Sequence, residues 1–212
     1  MGIRHRIAPL AAVLALAGSL AATAAAPALA AQPASGKTTE TTKTAAADGT
    51  YLYFNKNQSD PLNSRLYLME SIPHAKDKVL AKYRAGSGDN GPNGKNECAT
   101  SQGWLPNGTY QVLAHDAHYN GGDVGVNGKV IHVQDKVCEN GRTTRAELFV
   151  HSEMWPEGSQ ADAQPGKDNP YRWDSSDDYR SLGCIKLSPA DINDLFTKAE
   201  RDGWPTKLKV VS

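Results

Sequence analysis

Two side chains in this sequence could together carry out nucleophilic chemistry: Cys184 and His151. Cys184 lies in residues 181–185, Ser-Leu-Gly-Cys-Ile, where a sharp turn at Gly183 can leave the sulfur exposed. His151 follows a strand-like Leu-Phe-Val segment, and an imidazole can take the thiol proton and return it to a leaving amine. Because the two residues are 33 positions apart, only the fold can bring them together.

Such chemistry also needs hydrogen-bond donors for the negative charge that develops on the attacked carbonyl. The backbone N–H groups of Gly183 and Cys184 are the natural donors, because glycine allows close approach and unusual backbone angles. Ser152 and Ser181 flank the two reactive residues and could orient the base or bind substrate. The other interpretation of Ser181 is an ordinary polar turn residue.

The cysteine count bears on whether Cys184 is free. The sequence contains three cysteines, and an odd number in an exported protein leaves one thiol unpaired. Cys98 and Cys138 both lie in polar segments with the character of loops. The most economical assignment is a disulfide between these two, which leaves Cys184 reduced.

Histidines and cysteines can also bind a metal ion, but their spacing in this sequence does not favour a metal site. His115 and His118 are close in sequence, but no cysteine or glutamate cluster completes a zinc-type ligand set around them. His132 lies within a strand pattern and is expected to be a packed or surface histidine. We expect neither a metal nor another cofactor.

Alternating apolar residues predict mainly strands before His151, at 51–54, 64–69, 79–84, 109–114, 129–134 and 148–150. Asn127-Gly128 predicts a tight hairpin turn. After the Cys184 motif, Ser188-Pro189 predicts the start of an amphipathic helix that ends near Gly203, followed by a closing strand at 207–211. The sequence therefore predicts a mainly β, sandwich-like fold with one or two helices near Cys184.

The loop at 156–180 separates the two reactive residues. It combines six acids with Tyr171, Trp173 and Tyr179. Aromatic residues in a polar loop beside a reactive motif favour a lid or a substrate wall, which makes Tyr171 and Trp173 candidate substrate-binding residues. The alternative is a solvated loop without a role.

The amino-terminal segment has the features of a secretory signal peptide. Arg4 and Arg6 precede an Ala/Leu-rich run, and Ala28-Leu29-Ala30 offers a cleavage site, so we assign 1–30 to the leader. A membrane anchor is the alternative. Residues 31–47 lack large apolar side chains and predict a disordered Thr/Ala-rich spacer, which leaves 48–212 as the domain.

Charge limits the expected partners. The chain has 23 basic and 23 acidic residues, and loss of Arg4 and Arg6 with the leader leaves a formal charge of −2. This balance argues against nucleic acid or an anionic membrane as a partner. We expect a monomer that meets a membrane only during export and resides outside the cytoplasm, secreted or in the cell wall.

The region 50–212 resembles the L,D-transpeptidase (YkuD) catalytic domain. The resemblance is carried by His151-Ser152, the loop, Ser181-x-Gly183-Cys184, and the helix and strand that follow. Looser matches are residues 65–68, 83–88 and Leu-Pro-Asn-Gly-Thr-Tyr at 105–110. Three features depart from the family pattern: Leu182 replaces the usual His, Lys186 replaces Arg or Asn, and the loop after His151 is long.

The resemblance implies an exported acyl-transferase acting on peptidoglycan stem peptides. Cys184 would be the nucleophile and His151 its base, Ser152 would orient that base through its carbonyl, and Lys186 would contact substrate. Three alternative functions remain open at this point. They are an L,D-carboxypeptidase, in which water is the acceptor; a catalytically silent cell-wall-binding relative, motivated by Leu182; and an unrelated disulfide-stabilised binding protein, which explains the cysteine pair but not the Cys184 motif.

Overall fold

The computed structural model describes residues 49–123 and 125–212, so the expected leader and spacer lie outside the described residues. The chain forms strands and one helix in the following order: β1 (Thr50–Asn55), β2 (Ser64–Glu70), β3 (Lys78–Ala85), β4 (Gly108–Asn120), β5 (Asn127–Val133), β6 (Lys136–Val137), β7 (Thr144–Arg145), β8 (Leu148–His151), β9 (Ile185–Lys186), α1 (Pro189–Asp202) and β10 (Lys207–Val211).

Eight of the strands form a single sheet in the order β3-β2-β1-β10-β4-β5-β8-β9, and β6 pairs with β7 separately. Two of the pairings in this sheet are parallel: β1 with β10, and β8 with β9. The second parallel pair places the end of β8, including His151, beside the segment that follows Cys184, with Val150 opposite Ile185 and His151 opposite Lys186.

The sheet curls until its two edges approach each other near the Cys184 motif. Gly86, just after β3, exchanges two backbone hydrogen bonds with Lys186 of β9, at 3.0 and 2.9 Å. A Cβ at position 86 would overlap the backbone of Tyr179, so only glycine permits this approach. The motif is therefore held between the two ends of one curved sheet.

The core lies on the concave side of the sheet, where α1 packs. Alternate residues of β2 are buried, as the strand period of two requires, and β1 buries residues on both faces; Leu66 of β2 and Leu52 of β1 are both at 0% exposure. α1 buries Ile192, Leu195 and Phe196 at i, i+3 and i+4, and Ser188 caps its first turn by accepting the Asp191 N–H. These contacts fix the segment that follows Cys184.

The predicted hairpin turn at Asn127-Gly128 is wrong. Both residues belong to β5 and pair with the end of β4, and the chain turns before them. The Asn127 amide closes that earlier turn, accepting from the Gly121 N–H and donating to the carbonyls of Gly122 and Gly125. The asparagine side chain thus stabilises the turn from outside it.

The mainly β fold class with few helices is confirmed, and the one α-helix of the described residues follows the Cys184 motif as predicted. Among residues 49–123 and 125–212, no helix has the length and apolar character needed to cross a bilayer.

Candidate active site

Cys184 and His151 lie on neighbouring chain segments that face one cavity. Side chains alternate along a strand, so Phe149 and His151 of β8 point to the same side as Cys184 and Lys186 around β9. All four residues line a cavity of about 1190 Å³. The parallel pairing of β8 with β9 is therefore what joins two residues 33 positions apart.

The His151 imidazole is buried and held in one orientation. The residue is 8% exposed, and its Nδ1 lies 3.0 Å from the Ser152 carbonyl. A carbonyl only accepts, so Nδ1 carries the proton, which leaves Nε2 as the acceptor nitrogen. Burial, with a contribution from the charge of Lys186, lowers the pKa of His151 to about 3. The imidazole is consequently neutral at physiological pH, and its Nε2 carries a lone pair that can accept a hydrogen bond.

This depressed pKa gives the protein an acid-sensitive stability. Below pH 6.5 the unfolded chain protonates His151 and the folded chain does not, so stability falls as pH decreases towards 3. We expect His151→Gln to flatten that decrease by up to about 1.4 kcal/mol per pH unit. Urea unfolding of the wild type and of His151→Gln at several pH values between 7 and 4 measures the pH dependence of the free energy of unfolding. Parallel pH profiles would contradict this account, because they would show that the pKa of His151 is the same in the folded and the unfolded protein.

The Cys184 thiol is free and partly exposed. Its Sγ lies 3.5 Å from the Glu147 carbonyl, and the Phe149 N–H is also directed at the sulfur. Loss of solvation raises the pKa of Cys184 to about 11, against the opposing influence of that N–H, Lys186 and Arg145. At neutral pH the Cys184 thiol and the His151 imidazole are therefore both uncharged, and both border the same cavity.

The Ser181 hydroxyl holds the turn that carries Cys184 by hydrogen bonds to backbone groups. The Ser181 hydroxyl donates to the Cys184 carbonyl at 2.6 Å and accepts the N–H groups of Gly88 and Gly183, both at 3.2 Å. One donor and two acceptor positions exhaust a hydroxyl. Substrate binding through Ser181, expected from the sequence, has no free position here, and the turn interpretation accounts for this residue.

Gly183 occupies a backbone conformation that other residues rarely adopt, with φ +133°. Its N–H is directed at Ser181, so the expectation that this group stabilises an oxyanion does not match the structure. Its carbonyl accepts from the Ser87 hydroxyl at 3.2 Å. In the described part of the chain, the Cys184 N–H makes no hydrogen bond to protein, which leaves it available as a donor.

Lys186 forms a largely buried ion pair with Glu153 on the cavity wall. Burial raises the pKa of Glu153 to about 7, although the ammonium of Lys186 opposes that shift. The Lys186 Nζ also lies 6.0 Å from the centre of the Trp173 ring. The ammonium is thus partly satisfied by protein groups and still borders the cavity that the thiol faces.

The long loop after His151 forms one wall of the cavity, although not through the two aromatic residues expected. Tyr171 stacks on Trp155 at 3.7 Å, and Trp173 packs edge-on against Tyr179 at 4.7 Å. Neither Tyr171 nor Trp173 is among the cavity-lining residues. These aromatic pairs order the loop, and residues 163–168 and 174–178 supply its lining.

The cavity is predominantly acidic. Seven carboxylates line it against three cationic side chains, namely Asp89, Glu147, Glu153, Asp168, Asp174, Asp177 and Asp178 against Lys167, Arg180 and Lys186. Leu182 stands at its margin with 70% of its surface exposed, which is unusual for a leucine. The cavity therefore combines an acidic wall with several apolar side chains, among them Phe149 and Leu182.

Three carboxylates in this wall approach each other closely: Glu153, Asp168 and Asp178 have oxygens within 4.8 Å. Protein groups already engage two of them. Asp178 accepts the N–H groups of Asp174 and Ser175 at 2.6 and 2.7 Å, and Glu153 pairs with Lys186. The Lys186 ammonium and these backbone N–H groups therefore offset part of the negative charge of the cluster.

The disulfide between Cys98 and Cys138 is present as predicted, and Cys184 is the remaining free thiol. It closes a 40-residue separation between the loop before β4 and the β6–β7 hairpin. Cys98→Ser/Cys138→Ser should lower the free energy of unfolding by about 4 kcal/mol on chain-entropy grounds. Urea unfolding measures this loss. A loss below about 1 kcal/mol would mean that other contacts already close the loop in the unfolded ensemble.

Two residues near the site were missed by sequence analysis. Glu153 lies two positions after His151, and that spacing along an extended chain could have indicated a shared face. Arg145 lies in a polar segment without a recognisable motif, and nothing in the sequence indicates that its guanidinium reaches the Leu182 carbonyl at 2.7 Å.

No protein-family model matches the chain, and no curated protein matches it. Among solved structures, the chain is similar to Bd1075 of Bdellovibrio bacteriovorus, with 13% sequence identity and a TM-score of 0.47. The similarity covers 80% of this chain and 50% of that protein, so this chain spans about half the length of Bd1075.

Proposed function

We propose that this protein is an exported cysteine acyl-transferase of the L,D-transpeptidase type that acts on peptidoglycan stem peptides. The observation that carries the proposal is the pairing of β8 with β9. It brings the free thiol of Cys184 and the neutral imidazole of His151 to one cavity, with the Ser152 carbonyl orienting the imidazole. The substrate class comes from the resemblance of residues 50–212 to that family.

In the first half-reaction, Cys184 attacks the carbonyl of the amide that joins an L-centred diamino acid to D-alanine. A C–S bond forms while the C–N bond breaks, and His151 Nε2 carries the thiol proton to the leaving amine of D-alanine. The Cys184 N–H, which is free of other acceptors among the described residues, stabilises the oxyanion. The product of this step is a thioester on Cys184 and free D-alanine.

In the second half-reaction, an amine of a neighbouring stem attacks the thioester. An N–C bond forms, the C–S bond breaks, and His151 transfers the proton of the amine back to sulfur. The acidic wall of the cavity favours a cationic, amine-bearing acceptor over neutral molecules. With water as acceptor, the same thioester would give L,D-carboxypeptidase activity.

A catalytically silent wall-binding protein is the second candidate, and two observations favour it. The pKa of the thiol is raised to about 11 by burial, and Leu182 places an apolar, exposed side chain where the family has His. Both features disfavour a thiolate in the resting protein. They leave the cavity intact as a binding surface for stem peptides.

Export agrees with the chemistry of the cysteines. A disulfide between Cys98 and Cys138 is the state that oxidising, extracytoplasmic compartments maintain. We therefore propose that the mature domain acts outside the cytoplasm, after removal of residues 1–30.

The test is product analysis of purified tetrapeptide muropeptides incubated with the mature protein. Cross-linked dimers with release of D-alanine are the expected result. Tripeptides without dimers would assign the carboxypeptidase activity. Unchanged muropeptides that nevertheless bind the protein would assign the silent wall-binding function and overturn the proposal.

A further inference from the structure

Arg145, at the end of β7, has a guanidinium that is almost fully removed from solvent. The residue is 2% exposed, and its hydrogen-bond acceptors among the described residues are four backbone carbonyls, with no carboxylate. Nη1 donates to Glu97 and Trp104 at 2.7 and 3.3 Å, and Nη2 donates to Gly103 and Leu182 at 2.9 and 2.7 Å. Burying a cation without an acid is costly, so its position calls for a physical reason.

The contact with Leu182 acts directly on the backbone of the Cys184 motif. A Cβ at Gly183 would overlap the Arg145 Nη2, so the guanidinium fills the space that the glycine leaves open. The following carbonyl, that of Gly183, is held by the Ser87 hydroxyl at 3.2 Å. Because a trans peptide unit is planar, fixing that carbonyl directs the Cys184 N–H to the opposite side.

We propose that Arg145 is a positioning residue for Cys184: its guanidinium fixes the Leu182 carbonyl and, together with the Ser87 hydroxyl at the next carbonyl, sets the direction in which Cys184 presents its thiol and its N–H. The effect on acylation rests on the proposed function. The effect on the thiol is independent of the proposed function, because it concerns the reactivity of Cys184 towards any electrophile.

The loop that supplies the other carbonyls is itself fixed at Glu97. The Glu97 carboxylate pairs with the buried Lys56 ammonium at 2.6 Å, and its carbonyl accepts from Arg145. The next residue, Cys98, is bonded to Cys138. Arg145 therefore connects a loop secured by an ion pair and a disulfide to the turn that holds the nucleophile.

Several charged groups act on the Cys184 sulfur, and Arg145 is one of them. Arg145 and Lys186 favour the thiolate, Glu147 opposes it, and His151 on β8 is neutral in the resting protein. Loss of the Arg145 charge should consequently raise the pKa of the thiol, in addition to loosening the turn.

The experiment is the pH dependence of Cys184 alkylation by iodoacetamide in the mature protein, where Cys184 is the one unpaired thiol. Arg145→Met keeps the unbranched stem and removes the charge and all four hydrogen bonds. We expect alkylation at pH 8.5 to slow by about tenfold, with the whole profile displaced to higher pH by about one unit. Arg145→Lys retains the charge and reaches fewer carbonyls, so its rate should fall between those of Met and wild type.

Lys56→Met is the matched control. Lys56 is also a buried cation that anchors the same loop, through Glu97 and the Leu105 carbonyl, and its hydrogen bonds do not extend to Leu182. This variant should lose stability and keep the wild-type alkylation profile. An unchanged profile in Arg145→Met, or an equal displacement in Lys56→Met, would overturn the inference.

If Arg145→Met does not fold, Arg145→Lys decides, and a wild-type alkylation rate in that variant overturns the inference. The outcomes separate this inference from the proposed function. A displaced alkylation profile in a protein that leaves muropeptides unchanged would keep the role of Arg145 and reject the transferase. Muropeptide cross-linking by the wild type, together with an unchanged alkylation profile in Arg145→Met, would support the transferase and reject the positioning role of Arg145.

Discussion

Replacement of Cys184 by alanine is expected to abolish release of D-alanine from tetrapeptide stems. The chain has three cysteines, and the other two are joined in a disulfide, so no second thiol can take over the attack. Without the nucleophile, the thioester cannot form, and both transfer and hydrolysis stop together. The measurement is D-alanine release by the mature protein and by Cys184→Ala, with muropeptide dimers and tripeptides quantified in the same samples.

Cys184→Ser is the matched control for this experiment. The hydroxyl keeps a polar atom at the same position but is a poorer nucleophile than a thiol, so only trace activity is expected. Unfolding curves should show that both variants remain folded, because the Cys184 Sγ makes only a long contact of 3.5 Å with the Glu147 carbonyl. Full D-alanine release by folded Cys184→Ala would place the reaction elsewhere in the protein.

The second large effect is expected for His151→Ala, which should slow acylation by about 10²–10⁴-fold, the range for loss of a general base. The pKa of the thiol is raised to about 11, so very little thiolate exists at neutral pH without a base beside it. The measurement is the rate of thioester formation under single-turnover conditions. Raising the pH should partly restore this variant, because hydroxide can then ionise the thiol directly.

His132→Ala is the matched control for the base. His132 lies on β5 and stacks on Phe149 of β8 at 4.5 Å, so it contacts the same strand as His151 without lining the cavity. Its removal should leave the acylation rate within about a few-fold of wild type. Equal losses in the two variants would indicate that packing around β8, and not proton transfer, sets the rate.

Most of the longer strands could be predicted from the sequence, because their apolar residues either alternate, as in β2, or form a short continuous run, as in β8. Leu66 illustrates this alternation, and α1 carries both a capping serine and an apolar face. The Cys98–Cys138 pairing followed from the odd number of cysteines. β9 could not be predicted, since it has two residues and exists through pairing with β8 and Gly86.

Several side-chain contacts around the site could not be predicted, because no local sequence pattern indicates them. Arg145 bonds to backbone carbonyls, and every residue has one, so no sequence pattern marks its partners. Ser181 was expected to face substrate, but its hydroxyl is used up by neighbouring backbone groups. Asn127-Gly128 has a strong turn preference, yet pairing with the long strand β4 outweighs it.

The role of Leu182, which lies two residues before Cys184, also became clear only from the structure. Its carbonyl is bound by Arg145 while 70% of the residue remains exposed at the margin of the cavity. The backbone of this residue therefore helps to hold the turn, whatever side chain it carries. Its departure from the family pattern changes the surroundings of the thiol without changing how the motif is anchored.

The most direct measurement of the central claim, that Cys184 is an acylated nucleophile, is intact-mass and peptide-mapping analysis of the mature protein after incubation with a carbapenem. A thiol that opens the β-lactam ring retains the whole molecule as a thioester, with the ring nitrogen taking the proton. We predict an increase by one carbapenem mass, located on the peptide that contains Cys184 and absent from Cys184→Ala. A folded wild-type protein that gains no mass at any pH, or gains it on another residue, would contradict the claim.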